Sequence, residues 1–455
     1  MLMFGKKVLS PSFRYILIEK LLRSMQAGDS AAVVGVASVG KSNVVQALQQ
    51  RDIQMMHLEQ ESQLPLLVWL DANDLTALEP WYFFELLLYR LIFHADRVNI
   101  APAIVTYLED AYTRLLGFEN NPNLALLVCQ EALRWLCQTH QVKVVLLLDE
   151  FDLLFEALPE GFFRNLRSMR DKNKYNLVYI LFLRQELATL RPSLSEVEAF
   201  AELFQAHTHY LQPDDLTGTE QMLMRLAERF QIEWPTRQTS IIFDWSGGHA
   251  GLNKVIFRKI LPQLNARQTS EFAALTEDAE VLDECQKIWD SLDDDERHCL
   301  QQIVRPSPEI AAEFDLAVQR LRLKGLINHD QNHPLIHSKL LSDFVQQTTL
   351  VNVVEAGFAF DSLSRICKIN NQEINLPLLP AKLLELLYSN RGKPCRRLDV
   401  LQYLYPEEDH SQLNRLSDDP RLYDVVKNLR KKIEPNPQKP RYVKTVRGMG
   451  FKLDI

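Results

Sequence analysis

The sequence predicts a multidomain protein: an α/β unit with a parallel sheet, then a helical region, then two small α+β units that each close with a short hairpin. Three observations carry that expectation. Apolar strand-like runs alternate with amphipathic helical patterns through about residue 190, the pattern of a parallel sheet wrapped by helices. Strand signals then fade from about Pro192 to Gln268. Two later stretches, about 278–348 and 355–455, each place helical patterns ahead of two short strand-like runs.

The bulk properties agree. At 455 residues the chain exceeds one ordinary domain, and roughly 100 to 200 residues per domain suggests three or four. Hydrophobic residues make up 46%, yet no apolar run approaches the ~20 residues a membrane helix needs. The start, Met1-Leu-Met-Phe-Gly-Lys-Lys7, has charge but no apolar core of signal-peptide length after it. The expectation is a cytoplasmic protein with no membrane partner. Cys129, Cys137, Cys285, Cys299, Cys367 and Cys395 form no Cys-x-x-Cys pair and have no histidines at zinc-ligand spacing, so reduced, packed thiols are expected. Charge is uneven. Residues 1–354 carry 33 basic and 46 acidic side chains, whereas 355–455 carry 18 and 13, and within 421–455 the count is 10 against 3. A basic end on an acidic body can neutralise phosphates without binding polyanions indiscriminately.

The expected strands are Ala31 to Gly35, Leu66 to Asp71, Val142 to Asp149 and Leu177 to Leu183. The helical region is broken by Trp245-Ser-Gly-Gly-His-Ala-Gly251. Next come helical patterns at Asp283 to Leu292, Asp294 to Ile303 and Phe314 to Lys324, then Gly325-Leu-Ile, a polar turn and Leu335-Ile-His. Three helices and a hairpin spell a winged helix. Asp290, Asp293, Asp294, Asp295 and Glu296 on its leading helices would repel a phosphate backbone, which favours a structural or relay role. A linker is expected between Gln346 and Gly357, and no internal repeat stands out.

Gly35-Val-Ala-Ser-Val-Gly-Lys-Ser42 matches G-x-x-x-x-G-K-S, after the strand Ala31-Ala-Val-Val34 and before the helical Asn43-Val-Val-Gln-Ala-Leu48. Amides of such a loop and of the helix start cradle phosphates. The expected nucleotide contacts are therefore Gly35, Val36, Ala37, Ser38, Val39, Gly40, Lys41 and Ser42. Lys41 would bridge the β and γ phosphates and the Ser42 hydroxyl would hold Mg²⁺. About a hundred residues on, Val144-Val-Leu-Leu-Leu-Asp-Glu-Phe-Asp152 reads as a buried strand ending in carboxylates. Asp149 would complete the Mg²⁺ shell and Glu150 would polarise an attacking water, with Asp152 left to cap the next helix or face solvent.

Together these residues resemble the AAA+/STAND group of P-loop ATPases, in particular signal-transduction ATPases with a helical lid and a winged helix after the core, over about residues 10 to 350. The resemblance implies ATP and Mg²⁺ as cofactors, a core over 1–190, a lid over 191–272 and a winged helix over 273–350. It implies a sensor role for Arg184, which ends the strand Leu177 to Leu183. It also implies a nucleotide-side role for His249, in Gly247-Gly-His-Ala-Gly251, which resembles the lid motif Gly-Gly-His-Pro. A surface arginine and a helix cap are the competing readings of these two. Departures are Ser38 where many such loops have glycine, Phe182 for a small polar residue, and Ala250 for the lid proline. They favour a slow, switch-like ATPase. Arg164, Arg167 and Arg170, at i, i+3 and i+6, read as a solvated face, so no arginine finger is assigned.

In Leu422-Tyr-Asp-Val-Val-Lys-Asn-Leu-Arg-Lys-Lys-Ile433, Leu422, Val426, Leu429 and Ile433 form one apolar stripe. The opposite face holds Asp424, Lys427, Asn428 and Lys431, flanked by Arg430 and Lys432, a composition suited to base edges and phosphates. Asp418-Asp-Pro420 supplies the helix start. Tyr442-Val-Lys-Thr-Val446 and Phe451-Lys-Leu453 alternate as strands around Arg447-Gly-Met-Gly450. Arg447 could enter a minor groove, with Lys444 and Thr445 at phosphates. A solvated basic helix in a structural module is the plainer reading.

The stretch 351–455 closely resembles the OmpR/PhoB-type winged-helix effector domain of response regulators. Leu376-Pro-Leu-Leu-Pro-Ala-Lys-Leu-Leu-Glu-Leu-Leu387 matches its first helix and Gly357 to Ile374 its preceding sheet. Pro380 stands where the family usually has glutamate and suits a first helical turn. The P-loop unit replaces the usual receiver domain, so phosphorelay control is not implied. The resemblances imply an ATP-dependent regulator of transcription that binds double-stranded DNA, forms a homo-oligomer with ATP and answers an upstream signalling protein. An AAA+ machine for loading, transposition or defence, and a DNA-binding scaffold with structural ATP, are the alternatives.

Overall fold

The computed structural model describes residues 9–10, 13–57, 64–98, 100–118, 121–191, 195–265, 272–305, 314–328, 330, 334–355, 358–361, 365–369, 372–391, 393–405, 420–434, 436–437, 440–446 and 450–454. The chain forms two compact units, Met1–Val345 and Gln346–Ile455.

The first unit is built on a parallel sheet in the order β2-β3-β4-β1-β5, with β1 Ala31–Val34, β2 Leu66–Asp71, β3 Val144–Asp149, β4 Leu177–Leu183 and β5 Thr208–Tyr210. Every residue of β1, β3 and β4 is buried, as expected of central strands covered on both faces. Alternate side chains serve separate cores. Val178, Ile180 and Phe182 face one, whereas Leu177, Tyr179, Leu181 and Leu183 face the other. The four expected strands form, with β3 starting at Val144. A fifth was missed: β5 pairs with β1 through Ala32–Thr208 and Val34–Tyr210. The sheet therefore extends beyond the lid boundary expected at residue 191. Three half-buried residues, Thr-His-Tyr, are too short and polar for periodicity to register.

On one face of the sheet pack α4 (Pro80–Arg97), α5 (Pro102–Leu116), α6 (Pro122–Arg134), α7 (Phe151–Ala157), α8 (Glu160–Lys172) and α10 (Ser195–Gln205), with the short α9 (Leu187–Leu190) between the last two. The other face meets α1 (Tyr15–Ala27), α2 (Lys41–Leu48) and α3 (Arg51–His57). The same core continues into the helical lid, α11 (Leu216–Arg229), α12 (Arg237–Ser246) and α13 (Ala250–Asn265). It runs on into α14 (Ala279–Asp290), α15 (Asp294–Ile303), α16 (Asp315–Leu323) and the start of α17 (Lys339–Glu355). Sheet, lid and following helices are thus cemented by one hydrophobic cluster. Among the described residues the hairpin after α16 shows one bridge, Ile327–Ile336, and α17 continues helically through much of the expected linker.

Two expectations about polar residues are corrected. Asp152 neither caps a helix nor faces solvent. It is buried and its carboxylate accepts the backbone N–H of Arg184 at 2.8 Å and of Gln185 at 3.4 Å, tying the end of β4 to α7. Arg170 is not on a solvated face either, for it is buried and donates to the Gly28 carbonyl at 3.1 Å. Its neighbour Arg167 pairs with Asp171 at 2.8 Å.

The second unit has an antiparallel sheet of β6 (Phe358–Asp361), β7 (Ile366–Ile369) and β8 (Gln372–Asn375), then α18 (Leu378–Ser389) with Pro380 in its first turn. β9 (Cys395–Arg396), α19 (Arg397–Leu404), α20 (Pro420–Ile433), β10 (Val443–Val446) and β11 (Gly450–Leu453) follow, the last two strands forming the wing in the sheet β10-β11-β9. The predicted stripe of α20, joined by Val425, is buried against α18, in one hydrophobic cluster with Val443, Phe451 and Leu453 of the wing. Burying each such side chain stabilises by about 1.5 to 3 kcal/mol. All six cysteines are free and buried. Among the described residues no helix is long and apolar enough to cross a membrane.

Candidate functional site

β1 enters the segment Gly35–Gly40 and leaves as α2, beside the C-terminal edge of β3. In a doubly wound sheet this edge is where ligands collect, at the point where the strand order reverses. β1 lies between β4 and β5 while the chain next builds β2 at the far edge. The predicted residues converge there. The Ser42 hydroxyl donates to Asp149 Oδ2 at 3.2 Å, and the buried Lys41 ammonium donates to the carbonyls of Gly35 at 2.9 Å and Val36 at 3.3 Å. At this site Ser38, at φ 56°, and Glu150, at φ 49°, sit in the left-handed region although neither is glycine. Such backbone costs roughly 1 to 2 kcal/mol and collects at functional sites. The glycine that many relatives of the motif place at position 38 thus has a conformational reason.

Burial pushes the Asp149 carboxyl up to about 6; the charges of Glu150 and Asp71 add to this, and Lys41 opposes it. Burial likewise lowers Lys41 against the pull of Glu150, Asp152 and Asp149. Carboxylates crowded against a hydroxyl at a buried strand end suit a hard divalent cation, so Asp149 and Ser42 fit the Mg²⁺ assignment. Glu150, however, is ion-paired with Arg184, whose Nε lies 3.0 Å from the carboxylate. Arg184 and the expected water-activating group therefore hold each other.

His249 is buried, with Nε2 2.9 Å from the Ala37 carbonyl and Nδ1 accepting the Leu252 N–H at 3.3 Å. It caps the start of α13, as the helix-cap reading of this residue expects, and ties that helix to the Gly35–Gly40 loop. Burial depresses its pKa to about 4. Two further bonds tie the loop to later elements, Gly251 N–H to the Ser38 carbonyl at 3.1 Å and Ala37 N–H to Ser291 Oγ at 3.2 Å.

A cavity of about 560 Å³ opens on the loop. Ser38, Gly40, Lys41, Ser42, Asn43 and Glu150 line its core side. Its opposite wall carries cationic Arg229, Lys254 and Arg258, apolar Leu226, Phe230, Val255 and Phe257, and acidic Glu284 from α14. Sequence reading missed this wall. The only available signal was the basic spacing Lys254, Arg258 on one helix face, which is indistinguishable from a solvated face without the fold.

In the second unit, α20 exposes Lys427, Asn428, Lys431 and Lys432 on one side. Arg430 is turned instead to the wing: Nε and Nη2 donate to the Val443 carbonyl at 2.9 and 2.7 Å, and Nη2 to Thr445 Oγ1 at 2.9 Å. Buried Glu434 accepts the backbone N–H groups of Arg441 at 2.6 Å, Tyr442 at 3.0 Å and Val443 at 2.6 Å. Lys444 pairs with Asp454 at the wing surface. Arg447 and Asp418-Asp419 lie outside the described residues. The exposed face is thus basic, and its angle to the wing is fixed from within.

Residues 371–453 match the family described as transcriptional regulatory protein, C terminal. The chain is 35% identical over 104 residues to the sensory transduction protein RegX3 of Mycolicibacterium smegmatis, covering 22% of this chain and 42% of that protein. It is 33% identical over 84 residues to protein PetR of Rhodobacter capsulatus, covering 18% and 35%. The similarity thus spans less than half the length of these curated relatives. Among solved structures, a Walker-type ATPase of Pyrococcus abyssi is similar over 73% of this chain and 95% of its own, at 13% identity and a TM-score of 0.48. The ORC2 protein of Aeropyrum pernix is similar over 77% and 98%, at 12% identity and a TM-score of 0.42. The chain joins a parallel α/β unit carrying the Gly35–Ser42 loop to a C-terminal winged-helix unit whose residues 371–453 match the transcriptional-regulator family.

Proposed function

We propose that this protein binds ATP with Mg²⁺ in the first unit and double-stranded DNA through the second, and that its nucleotide state governs how the winged helices are presented to DNA and so regulates transcription. The observation that carries the nucleotide half is the Ser42–Asp149 contact at 3.2 Å, beside buried Lys41 and facing a cavity with three further cations. Mg²⁺ bound at Ser42 and Asp149 would shield phosphate charge. The loop amides and Lys41 would orient the phosphates, while Glu150 is positioned to take a proton from water only when released from Arg184. That pairing favours a slow switch over a fast motor.

The DNA half rests on the exposed Lys427, Asn428, Lys431 and Lys432 and on the family match of residues 371–453. Lys444, Thr445 and Arg447 are assigned to the phosphates and groove beside them. Homo-oligomer formation with ATP would set several such faces on repeated half-sites, and linked modules gain about 10² to 10⁴ in avidity. An upstream signalling protein would bias that step.

The test is calorimetric titration of the full chain with Mg–ATP, alongside single-turnover hydrolysis. Wild type should bind and turn over slowly. Glu150→Gln should bind within about threefold of wild type and lose hydrolysis, as expected for removal of a general base, which is worth about 10² to 10⁴ in rate. Absence of Mg–ATP binding by wild type contradicts the reading.

A further inference from the structure

Glu284 belongs to no motif considered above. It projects from α14, a helix beyond the lid, into the wall of the same cavity that Ser38, Lys41 and Ser42 line. It is only 7% exposed. Its Oε2 takes the Lys287 ammonium at 3.3 Å, while Oε1 has no hydrogen-bond partner among the described residues. A Cβ placed on Gly251 would lie 2.0 Å from that oxygen and 2.8 Å from the Ser38 Cβ. The carboxylate therefore rests on the phosphate loop with only a glycine between them.

A buried carboxylate oxygen without a partner is costly. The remaining charged groups of the cavity wall are Lys41, Arg229, Lys254 and Arg258, with Glu150 already paired to Arg184. Glu284 is complementary to those cations and opposed to an incoming polyanion. Resting on the nucleotide-binding reading above, we propose that Glu284 sets the phosphate-number preference of this site. Its charge penalises a triphosphate more than a diphosphate for as long as α14 is docked on the loop. Gly251 is required for that contact, since any side chain there would push α14 away.

The experiment compares the full chain with Glu284→Gln and Glu284→Asp, titrated with Mg–ADP and with the Mg complex of a non-hydrolysable imido analogue of ATP. Glu284→Gln keeps the shape and removes the charge. It should bind the triphosphate analogue about tenfold more tightly than wild type, a modest value for one unit charge removed at short range, and Mg–ADP no more than about threefold more tightly. Glu284→Asp should keep the wild-type ratio of the two affinities within about threefold. Equal gains for both nucleotides, no gain, or a loss would overturn the proposal.

If Glu284→Gln fails to fold by circular dichroism, Lys287→Met supplies the same reading. Removing the ammonium that partly neutralises Glu284 should weaken the analogue more than ADP, and an equal effect on both would overturn the proposal. Failure of wild type and all variants to bind either nucleotide better than Lys41→Ala would instead sink the nucleotide reading itself, and this inference with it.

Discussion

Lys41 and His249 hold the phosphate loop in different ways, and their substitutions should separate cleanly. Lys41→Ala removes a buried ammonium whose bonds go to the loop's own carbonyls. A charge-assisted bond is worth about 1.5 to 3 kcal/mol, so Mg–ATP affinity should fall about 10- to 100-fold by calorimetry. His249→Asn acts on stability, and with a definite pH sign. The folded imidazole is held down at about 4 from an ordinary 6.5, chiefly by burial. Between those values the unfolded chain binds the proton and the folded chain does not, so the stabilisation is full above 6.5 and declines as pH falls. The slope is about 1.4 kcal/mol per pH unit for one such group. The destabilisation caused by His249→Asn should therefore be larger at pH 7 than at pH 5 in urea melts. A pH-independent difference would contradict the assignment. At this scale the meeting of the Gly35–Ser42 loop with Asp149 was legible, because the loop and the apolar strand ending in carboxylates follow a fixed spacing of residue types. Arg229, Lys254, Arg258 and Glu284 were not, because only the packing of lid and α14 brings them to the cavity.

The elements show where pattern suffices and where tertiary context takes over. The four long buried strands could be read because apolar runs of that length have few other uses. β5 could not, since its pairing with β1 rather than its composition makes it a strand. In α20 the apolar stripe was legible, and so was the basic opposite face. The exception is Arg430, which sequence assigns to phosphate and the fold commits to the wing through Val443 and Thr445. Charge alone cannot distinguish the two uses, but the substitutions can. Lys431→Ala should weaken DNA binding across sequences and lower the slope of log affinity against log salt by about 1. It should leave stability within about 0.5 kcal/mol. Arg430→Ala should instead cost about 1 to 3 kcal/mol of stability in the second unit. Equal loss of stability in both variants would show that Lys431 is structural.

For the whole molecule, the acidic first 354 residues and the basic end match the division of work in the function proposed above. The first unit's continuous core runs from the sheet face through the lid to α17, so a change at the phosphate loop meets rigid packing rather than a loose hinge. His249, Gly251 and Ser291 attach lid and α14 directly to that loop. This attachment is the physical basis for expecting nucleotide state to matter beyond its own cavity. The direct measurement is DNA affinity and stoichiometry of the full chain with Mg–ATP, with Mg–ADP and without nucleotide, at one fixed salt concentration. The three states should differ by at least about tenfold, with Lys41→Ala behaving as the nucleotide-free chain under all three conditions. Identical affinity and stoichiometry in all three, in a chain that binds ATP, would contradict control of DNA binding by nucleotide.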